Sequence, residues 1–327
     1  MIRRREFITL LGCGAVAWPL AARGQQPKMP VIGYLNSRSP DEDLHLLAAF
    51  HQGLKEAGYV ERQNVTIEYR FADNHYDRLP ALALDLVRRG VTAIAANGPA
   101  AQAAKTVTAT IPIVFVAGFD PVEAELVTSL SQPSGNITGV AFLDVELGPK
   151  RLELLHELVP AARTIAVLIN PSDPARAEAT MMQLQGAARI LGVNVQVLHA
   201  SSDHEIEMIF AGWAQLGAGG LVITGEPFFN SRSQQLGALS ARHVVPAIHQ
   251  LREFAAGGGL ASYGGSIADA YRVVGLYTGR VLKGERLADL PVHQATKVEM
   301  VLNLKTAKAL GISVPLPLSG RADELFE

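Results

Sequence analysis

The chain of 327 residues is 48% hydrophobic and 18% charged, and its formal net charge is −2 at pH 7. This length suggests two domains, and the composition is typical of a globular protein with a sizeable core. The near-neutral charge, with no cluster of lysines and arginines beyond the first residues, argues against a nucleic-acid-binding surface.

Residues 1–24 have the layout of a bacterial export signal: a basic start, an apolar middle and small residues at the end. Arg4 and Arg5 fit the twin-arginine form of such signals. The apolar run from Phe7 to Leu20, roughly 14 residues, is shorter than the ~20 needed to span a bilayer. We therefore expect cleavage near Gly24 and a periplasmic mature protein. Cleavage removes four arginines and one glutamate, which changes the net charge from −2 to −5.

The single cysteine, Cys13, lies inside this predicted signal. A lipid-attachment site there is disfavoured because the apolar run continues past it. The mature chain then contains no disulfide, no cysteine nucleophile and no thiolate metal site. A racemase that uses two cysteines is also excluded.

From Met29 onward, short β-branched runs alternate with helical patterns, which indicates βαβ units and a parallel sheet. Several runs are continuously apolar, as in strands covered on both faces. Helices are predicted at residues 43–56 and 267–283. Strands are predicted at residues 30–35, 65–69, 92–95, 113–116, 138–141, 164–169, 194–198, 220–224, 247–249 and 259–262.

One sequence pattern occurs in both halves of the chain. Residues 86–99 run from a helix end through a glycine and a strand to a turn that ends in Gly-Pro. Residues 213–227 have the same order and nearly the same spacing. This repeated pattern predicts two lobes with similar folds. The fold class is therefore α/β, with two Rossmann-like lobes, each with a parallel sheet, joined by a hinge of several strands.

The predicted helix at 267–283 is apolar enough to pack back on the first lobe, so the chain crosses between the lobes more than once. A hinge of several crossings favours opening and closing of a cleft. The expected divisions are an N-terminal lobe of residues 28–143 plus about 262–290, a C-terminal lobe of residues 144–261, and a hinge return and tail at 291–327.

Short polar clusters follow the predicted strands, where ligands bind in doubly wound sheets. Helix capping by Asn, Ser and Asp, with proline in the first turn, explains several clusters equally well. Capping explains Glu226, Phe228 and Phe229 poorly, so ligand contact and packing both stay open for them. The clusters are Asn36-Ser37 with Arg38, Asn97-Gly98-Pro99, Phe119-Asp120-Pro121, residues 170–173, residues 226–230, and His249-Gln250 with Arg252.

Enzyme motifs are sparse. The sequence has no G-x-G-x-x-G after its first strand, no phosphate-binding G-x-x-x-x-G-K-[ST] and no G-x-S-x-G elbow. Its nine histidines show no metal-ligand spacing with carboxylates. We expect no cofactor, no metal and no catalytic activity.

Motifs spread over the whole length carry a family resemblance. They lie at residues 33–35, 50–60, 64–70, 120–121, 135–140, 227–232, 264, 268–271 and 303–311. With them, the chain from about Met29 to Glu327 resembles substrate-binding proteins of ABC importers, in the family that includes tryptophan- and tyrosine-uptake binding proteins with the type I periplasmic binding fold.

The resemblance implies a monomer that passes a small-molecule ligand to an ABC permease in the inner membrane, whose ATPase subunit lies on the far side. Arg62 and Glu125 depart from the family, because relatives commonly have glycine there; a positive φ at either would be strained. The resemblance places the ligand between the lobes, near Asn36, Ser37, Asn97, Pro99, Ala100, Asp120, Asn170, Glu226 and Tyr263.

The edge residues themselves suit a small zwitterion such as an amino acid. Helix starts after Gly98, Asp120 and Asn170 offer N–H donors to a carboxylate. Asp120 and Glu226 offer negative charge to an ammonium group. Apolar walls are expected from Phe119, Phe228, Phe229 and Tyr263.

Three other hypotheses compete. An exported two-lobed α/β enzyme is disfavoured by the missing catalytic motifs. The effector half of a transcription regulator would need a DNA-binding segment where the export signal stands. A binding protein that presents its ligand to a sensor is not separated from an uptake protein by the sequence.

Overall fold

The computed structural model describes residues 29–133, 135–142, 147–295 and 298–327. The predicted export signal and Cys13 lie outside the described residues, as does part of the predicted junction between the lobes at 143–144. No helix among the described residues is both long and apolar enough to cross a membrane.

The described residues form thirteen strands and thirteen α-helices. The strands are β1 (Val31–Asn36), β2 (Thr66–Phe71), β3 (Ala93–Asn97), β4 (Ile113–Ala117), β5 (Ile137–Ala141), β6 (Thr164–Ile169), β7 (Asn194–His199), β8 (Gly220–Ile223), β9 (Ala247–His249), β10 (Ala261–Gly265), β11 (His293–Gln294), β12 (Val298–Asn303) and β13 (Glu324–Phe326). The helices are α1 (Pro40–Glu56), α2 (Leu79–Arg88), α3 (Gly98–Val107), α4 (Gly148–Leu158), α5 (Pro174–Leu191), α6 (Asp203–Ala211), α7 (Trp213–Leu216), α8 (Pro227–Ser231), α9 (Ser233–Arg242), α10 (Arg252–Ala256), α11 (Ile267–Leu282), α12 (Leu304–Ala309) and α13 (Leu316–Ser319).

The strands form two sheets of the same build. The first sheet has the order β2-β1-β3-β4-β5-β11, and the second has the order β7-β6-β8-β9-β10-β12-β13. All neighbours pair in parallel except β10 and β12, which are antiparallel. The two segments with the repeated pattern contain β3 and β8, and each of these is the third strand in the order of its sheet. The predicted α/β fold with two similar lobes is confirmed.

The chain passes between the two sheets three times: between β5 and α4, between β10 and α11, and between β11 and β12. The predicted return to the first lobe at about 262 lies too early. Strand β10, Ala261–Gly265, is hydrogen-bonded to β9 on one side and β12 on the other, so it belongs to the second sheet. The tail contributes β11 to the first sheet and β12 and β13 to the second.

Close helix packing ties the returning helix α11 to the first lobe. A Cβ atom on Gly53 of α1 would lie 1.8 Å from the carbonyl oxygen of Arg272, and one on Gly275 would lie 2.1 Å from that of Phe50. Only glycine permits this approach of α1 to α11. Every residue of the strands β3, β4 and β5, which lie between these helices and the opposite layer, is buried, and all but Asn97 and Thr138 are apolar.

Helix α1 begins three residues earlier than the predicted start at 43, because its start signal is a capping box. The N–H of Ser39 donates to Glu42 Oε2 at 3.1 Å, and Pro40 occupies the first helical position. This start fixes the direction in which the chain leaves β1, and so the place of Arg38.

Arg62 and Glu125 have φ angles of 64° and 53°. Both therefore adopt the left-handed conformation that was expected to strain them. In the turn before β2, the N–H of Arg62 donates to the carbonyl of Val65 at 2.9 Å, which holds the backbone in this conformation.

We expect Arg62→Gly to raise the free energy of unfolding by about 1 kcal/mol, since glycine adopts this φ without a Cβ clash. Arg62→Ala is the matched control: it removes the same side chain but keeps the clash, so it should give no such gain. Urea denaturation of the three proteins checks the prediction. Equal midpoints for the glycine and alanine variants would contradict it.

Candidate functional site

The carboxyl ends of the two sheets face each other, and hydrogen bonds join them. Arg38, which follows β1, donates from Nε to the carbonyl of Pro227 at 3.3 Å. Tyr76 donates from its hydroxyl to Glu226 Oε2 at 2.9 Å. The residues that follow the strands of one lobe therefore contact those that follow the strands of the other.

The first-lobe wall is a buried polar network around Asp43, which is 0% exposed. Asp43 Oδ1 lies 3.1 Å from the Arg38 guanidinium. Asp43 Oδ2 accepts from the Tyr34 hydroxyl at 2.5 Å and from Asn36 Nδ2 at 3.0 Å. Arg38 also donates to the Tyr271 hydroxyl at 3.1 Å. Three neighbours thus fix the carboxylate of Asp43, and this carboxylate and Tyr271 fix the guanidinium of Arg38.

Charge pairing keeps Arg38 ionised although it is only 3% exposed. Burial disfavours its charge, but Tyr271 and Asp43 raise its pKa above the usual value. Burial raises the pKa of Asp43, and the charge of Arg38 opposes that shift. Arg38 is therefore a buried cation that is paired with one carboxylate, that of Asp43.

The second-lobe wall centres on Glu226, which is 6% exposed. Its Oε1 accepts from the N–H of Phe229 at 3.0 Å, so Glu226 caps helix α8. The expectation that capping does not account for Glu226 is therefore wrong. Since Oε2 accepts from Tyr76 across the cleft, the same carboxylate serves both as a helix cap and as a contact between lobes.

Burial raises the pKa of Glu226, against the opposing charge of Arg176. It also raises the pKa of Tyr76 well above the usual value, with the charge of Glu226 acting in the same direction. Tyr76 therefore stays protonated and donates to Glu226 at every physiological pH.

Arg176, near the start of α5, completes this wall. Its guanidinium donates to the carbonyl of Gly225 and lies 5.7 Å from the ring centroid of Phe119 in the first lobe. A Cβ on Gly118 would lie 3.1 Å from Arg176 Nη2 and 2.8 Å from the Phe142 ring. A glycine at 118 therefore permits the close approach of the arginine to the first lobe.

A narrow space, the cleft cavity, lies between the two walls. Its volume of about 20 Å³ is enough for one water molecule. It carries both signs of charge, with guanidinium groups from both lobes and one carboxylate. Its walls include Arg38, Asn97, Pro99, Arg176, Glu226 and Tyr271.

Among the predicted ligand-binding residues, Asn97, Pro99 and Glu226 line the cleft cavity. Asn170 lies beside it, in a small neighbouring pocket that Glu226 also lines. Asn97 does not cap α3 with its side chain: Nδ2 donates to Ser37 Oγ at 2.7 Å, and Oδ1 accepts from the N–H of Ser37 at 3.2 Å.

Other predicted residues support the walls from behind. Asn36 belongs to the Asp43 network, and Ser37 positions Asn97. Ala100 is buried in the core of the first lobe. Asp120 caps the turn after β4, where its Oδ1 accepts from the N–H of Val122 at 2.7 Å.

The predicted aromatic walls lie elsewhere. Phe228 and Phe229 are buried in the core of the second lobe, where they pack with Ile223 and Leu236. Tyr263 packs against the other face of the second sheet. The helical turn of α8 directs both phenylalanines inward, so packing accounts for these two residues.

Tyr76, Arg176 and Tyr271 are site residues that were not predicted from the sequence. Tyr76 follows β2, and Arg176 follows the polar cluster after β6, so the edge of the sheet was a usable signal for both. Tyr271 lies inside α11, and nothing in its local pattern marks it. No group of three or more His, Cys, Asp or Glu residues in the described ranges could hold a metal ion.

The chain is similar to known solute-binding proteins in both sequence and fold. The chain is 27% identical over 269 residues to the tyrosine-binding protein of Clostridioides difficile (strain R20291), covering 80% of this chain and 75% of that protein. The structure of an ABC domain in complex with L-Trp from Streptococcus pneumonia aligns with a TM-score of 0.79 at 24% identity, over 91% of this chain and 99% of that one.

A conserved domain protein from Vibrio cholerae O1 biovar El Tor aligns with a TM-score of 0.81 at 25% identity, over 91% of this chain and 100% of that one. Residues 39–326 match the family model of ABC transporter substrate binding proteins. Proteins of this family generally work outside the cytoplasm. Because the family model spans most of the sequence, the chain belongs to the ABC transporter substrate-binding proteins.

Proposed function

We propose that this substrate-binding protein captures an amino acid, or a closely related small zwitterion, in the cleft between its lobes. The observation that carries the proposal is the charge of the cleft cavity, where the buried carboxylate of Glu226 lies among the guanidinium groups of Arg38 and Arg176. An ammonium group pairs with the carboxylate, and a carboxylate pairs with a guanidinium. A ligand that carries only negative charge offers no cation to the buried carboxylate of Glu226. Binding such a ligand beside this carboxylate is therefore unfavourable.

Two relatives support an amino acid. One is named as a tyrosine-binding protein, and the other was solved in complex with L-Trp. The cleft of this protein supplies the groups that any amino acid needs at its backbone end. Which side chain is preferred depends on the space beyond the cleft cavity.

We further propose that the lobes open to admit the ligand and close around it. In the structure the lobes already touch, through Tyr76 with Glu226 and through Arg232 with Glu42, whose charged atoms lie 2.8 Å apart. A space for one water does not admit an amino acid, so entry requires separation of the walls. A ligand that bridges both walls then favours the closed form by its differential affinity.

In this proposal the protein is a periplasmic monomer, cleaved near Gly24, which needs no cofactor and does not transform its ligand. The closed form is recognised by an inner-membrane permease, whose ATPase acts on the far side. Each lobe contributes one part of the surface that the permease contacts.

We expect amino acids to stabilise the purified mature protein against heat. A ligand at 100 times its dissociation constant adds about 2.7 kcal/mol, or roughly 5–10 °C in melting temperature. A thermal-shift screen of the twenty amino acids, with succinate and malate as matched dicarboxylates, measures this. Stabilisation by the dicarboxylates and by none of the amino acids would overturn the proposed ligand class.

We expect Glu226→Gln to weaken amino-acid binding roughly 10- to 100-fold, because a charge-assisted hydrogen bond is lost. The glutamine keeps one oxygen to accept from the N–H of Phe229, and its amide nitrogen can donate to the Tyr76 hydroxyl oxygen, so both contacts of residue 226 are retained. Calorimetric titration measures the affinity, with Glu178→Gln on the exposed surface of α5 as the control. If the two variants bind equally well, Glu226 is only a helix cap.

The same substitution should change how stability depends on pH in the ligand-free protein. Burial raises the pKa of Glu226, so the folded state binds the proton more tightly than the unfolded state. The free energy of unfolding therefore falls as pH rises from the ordinary glutamate pKa of 4.5 through the raised pKa of the folded state. The glutamine variant, which carries no charge at this position, should therefore melt higher than the parent at about pH 7 to 8. That advantage should disappear below about pH 4.5. A difference that stays constant with pH would contradict this assignment.

A further inference from the structure

Two glutamates each cap a helix and also reach across to the opposite lobe. Glu226 of the second lobe caps α8 and accepts from Tyr76 of the first lobe. Glu42 of the first lobe belongs to the capping box of α1, where its Oε2 accepts from the N–H of Ser39 at 3.1 Å. Its other oxygen, Oε1, lies 2.8 Å from Nη1 of Arg232 in the second lobe. One oxygen of Glu42 therefore serves the helix, and the other serves the contact between the lobes.

Arg232 is held in place by its own lobe. Its Nη1 donates to the carbonyl of Phe228 at 3.1 Å, and its Nε pairs with the carboxylate of Asp203 at the start of α6. The guanidinium carbon lies 3.9 Å from the centroid of the Phe228 ring, a cation–π distance. The side chains of Arg232 and Glu42 are only 14% and 19% exposed. An ion pair whose members are already fixed loses less side-chain entropy than a pair of mobile surface residues.

The turn after β2 contacts both glutamates. Asn74 donates from Nδ2 to Glu42 Oε2 at 2.9 Å, and Tyr76, two residues further on, donates to Glu226. Asp73 and Asn74 have φ angles of 53° and 63°, a left-handed conformation that Asp and Asn adopt more readily than most residues. The backbone of this turn therefore links the two contacts between the lobes.

These contacts lie on the side of the cleft away from the hinge. The turn follows β2, the edge strand of the first sheet, and Asp203 follows β7, the edge strand of the second sheet. The three chain crossings leave or enter the sheets at β5, β10, β11 and β12, towards the opposite edges. A contact far from a hinge separates furthest when the lobes rotate apart. The pair of Glu42 and Arg232 must therefore break when the cleft opens.

We propose that the pair of Glu42 and Arg232 is a latch at the mouth of the cleft, which stabilises the closed form without contacting the ligand. This inference rests on the proposed function, since it requires lobes that open and close. Neither residue is among the described residues that line the cleft cavity. The latch therefore stabilises the closed form to the same extent with any bound amino acid. It sets how long the ligand is retained, whereas the residues of the cleft cavity set what is bound.

Glu42→Gln separates the latch from the helix cap. The glutamine oxygen still accepts from the N–H of Ser39, because either Glu or Gln completes a capping box. Its amide nitrogen then stands opposite Arg232, so two donors meet and no ion pair forms. Glu56→Gln, at the other end of α1, is the matched control. Glu56 pairs with Arg272 at 2.7 Å, and both residues belong to the first lobe.

The first measurement is the distance between the lobes in the ligand-free protein. The proposed mature chain contains no cysteine, so Ala81→Cys on α2 and Glu207→Cys on α6, both exposed, place one spin label on each lobe. Double electron–electron resonance then gives a separate distance for the closed and open forms. Glu42→Gln should lower the ratio of closed to open protein roughly 3- to 30-fold. About 1 M NaCl should lower it in the parent and change it little in Glu42→Gln, because salt screens the ion pair.

The second measurement is the rate at which L-tyrosine or L-tryptophan leaves the protein, followed by stopped-flow fluorescence. Glu42→Gln should speed dissociation by a similar factor and leave the association rate nearly unchanged. Glu56→Gln should match the parent in both measurements.

A distance distribution that Glu42→Gln leaves unchanged would overturn the latch, whether or not amino acids bind. A shifted distribution with an unchanged dissociation rate would overturn its role in retention. Failure of all twenty amino acids to bind the parent would instead defeat the proposed ligand class, and the distance measurement would still decide whether the latch exists.

Discussion

The structure depends on one carboxylate buried where the two lobes meet. Removing a charge from water is unfavourable unless hydrogen bonds and opposite charge surround it. Glu226 receives a hydrogen bond from the start of its own helix α8 and another from Tyr76 of the opposite lobe. Helix α8, the turn after β2 and Arg176 each contribute a hydrogen bond or an opposite charge to this carboxylate. A ligand ammonium fits the same requirement.

The repeated architecture explains why the two walls differ in chemistry while sharing geometry. Both sheets order their first five strands in the same way, so the turns after β1 and β3 face those after β6 and β8. The first lobe fills its turns with the Arg38–Asp43 pair, whereas the second fills them with Glu226. Two equivalent scaffolds thus place a guanidinium from each lobe and one carboxylate around the same cleft, which suits a ligand with two charged ends.

The local patterns predicted all ten strands up to β10, because continuous β-branched runs between turn residues are specific for covered parallel strands. They missed β11, β12 and β13. Strand β11 has two residues and β13 has three, and both exist by pairing with strands distant in sequence. Periodicity carries no signal over so short a length. The capping role of Glu226 was not predicted, because glutamate is rarely found as an N-cap on average. The average preference does not describe the particular helix start at α8, where Glu226 does cap.

The sequence by itself determined the α/β class, the repeat of two lobes and the edge at which polar residues gather, because strand runs and the turns after them are local properties. Only the tertiary structure decided which of those residues meet. Tyr76 and Glu226 are 150 positions apart, and Asn36 and Tyr271 are 235 apart. It also decided that Phe228 and Phe229 point into the core, and that Oε1 of Gln250 has no partner among the described residues. Burial and pairing arise only when distant segments pack together, so no local pattern encodes them.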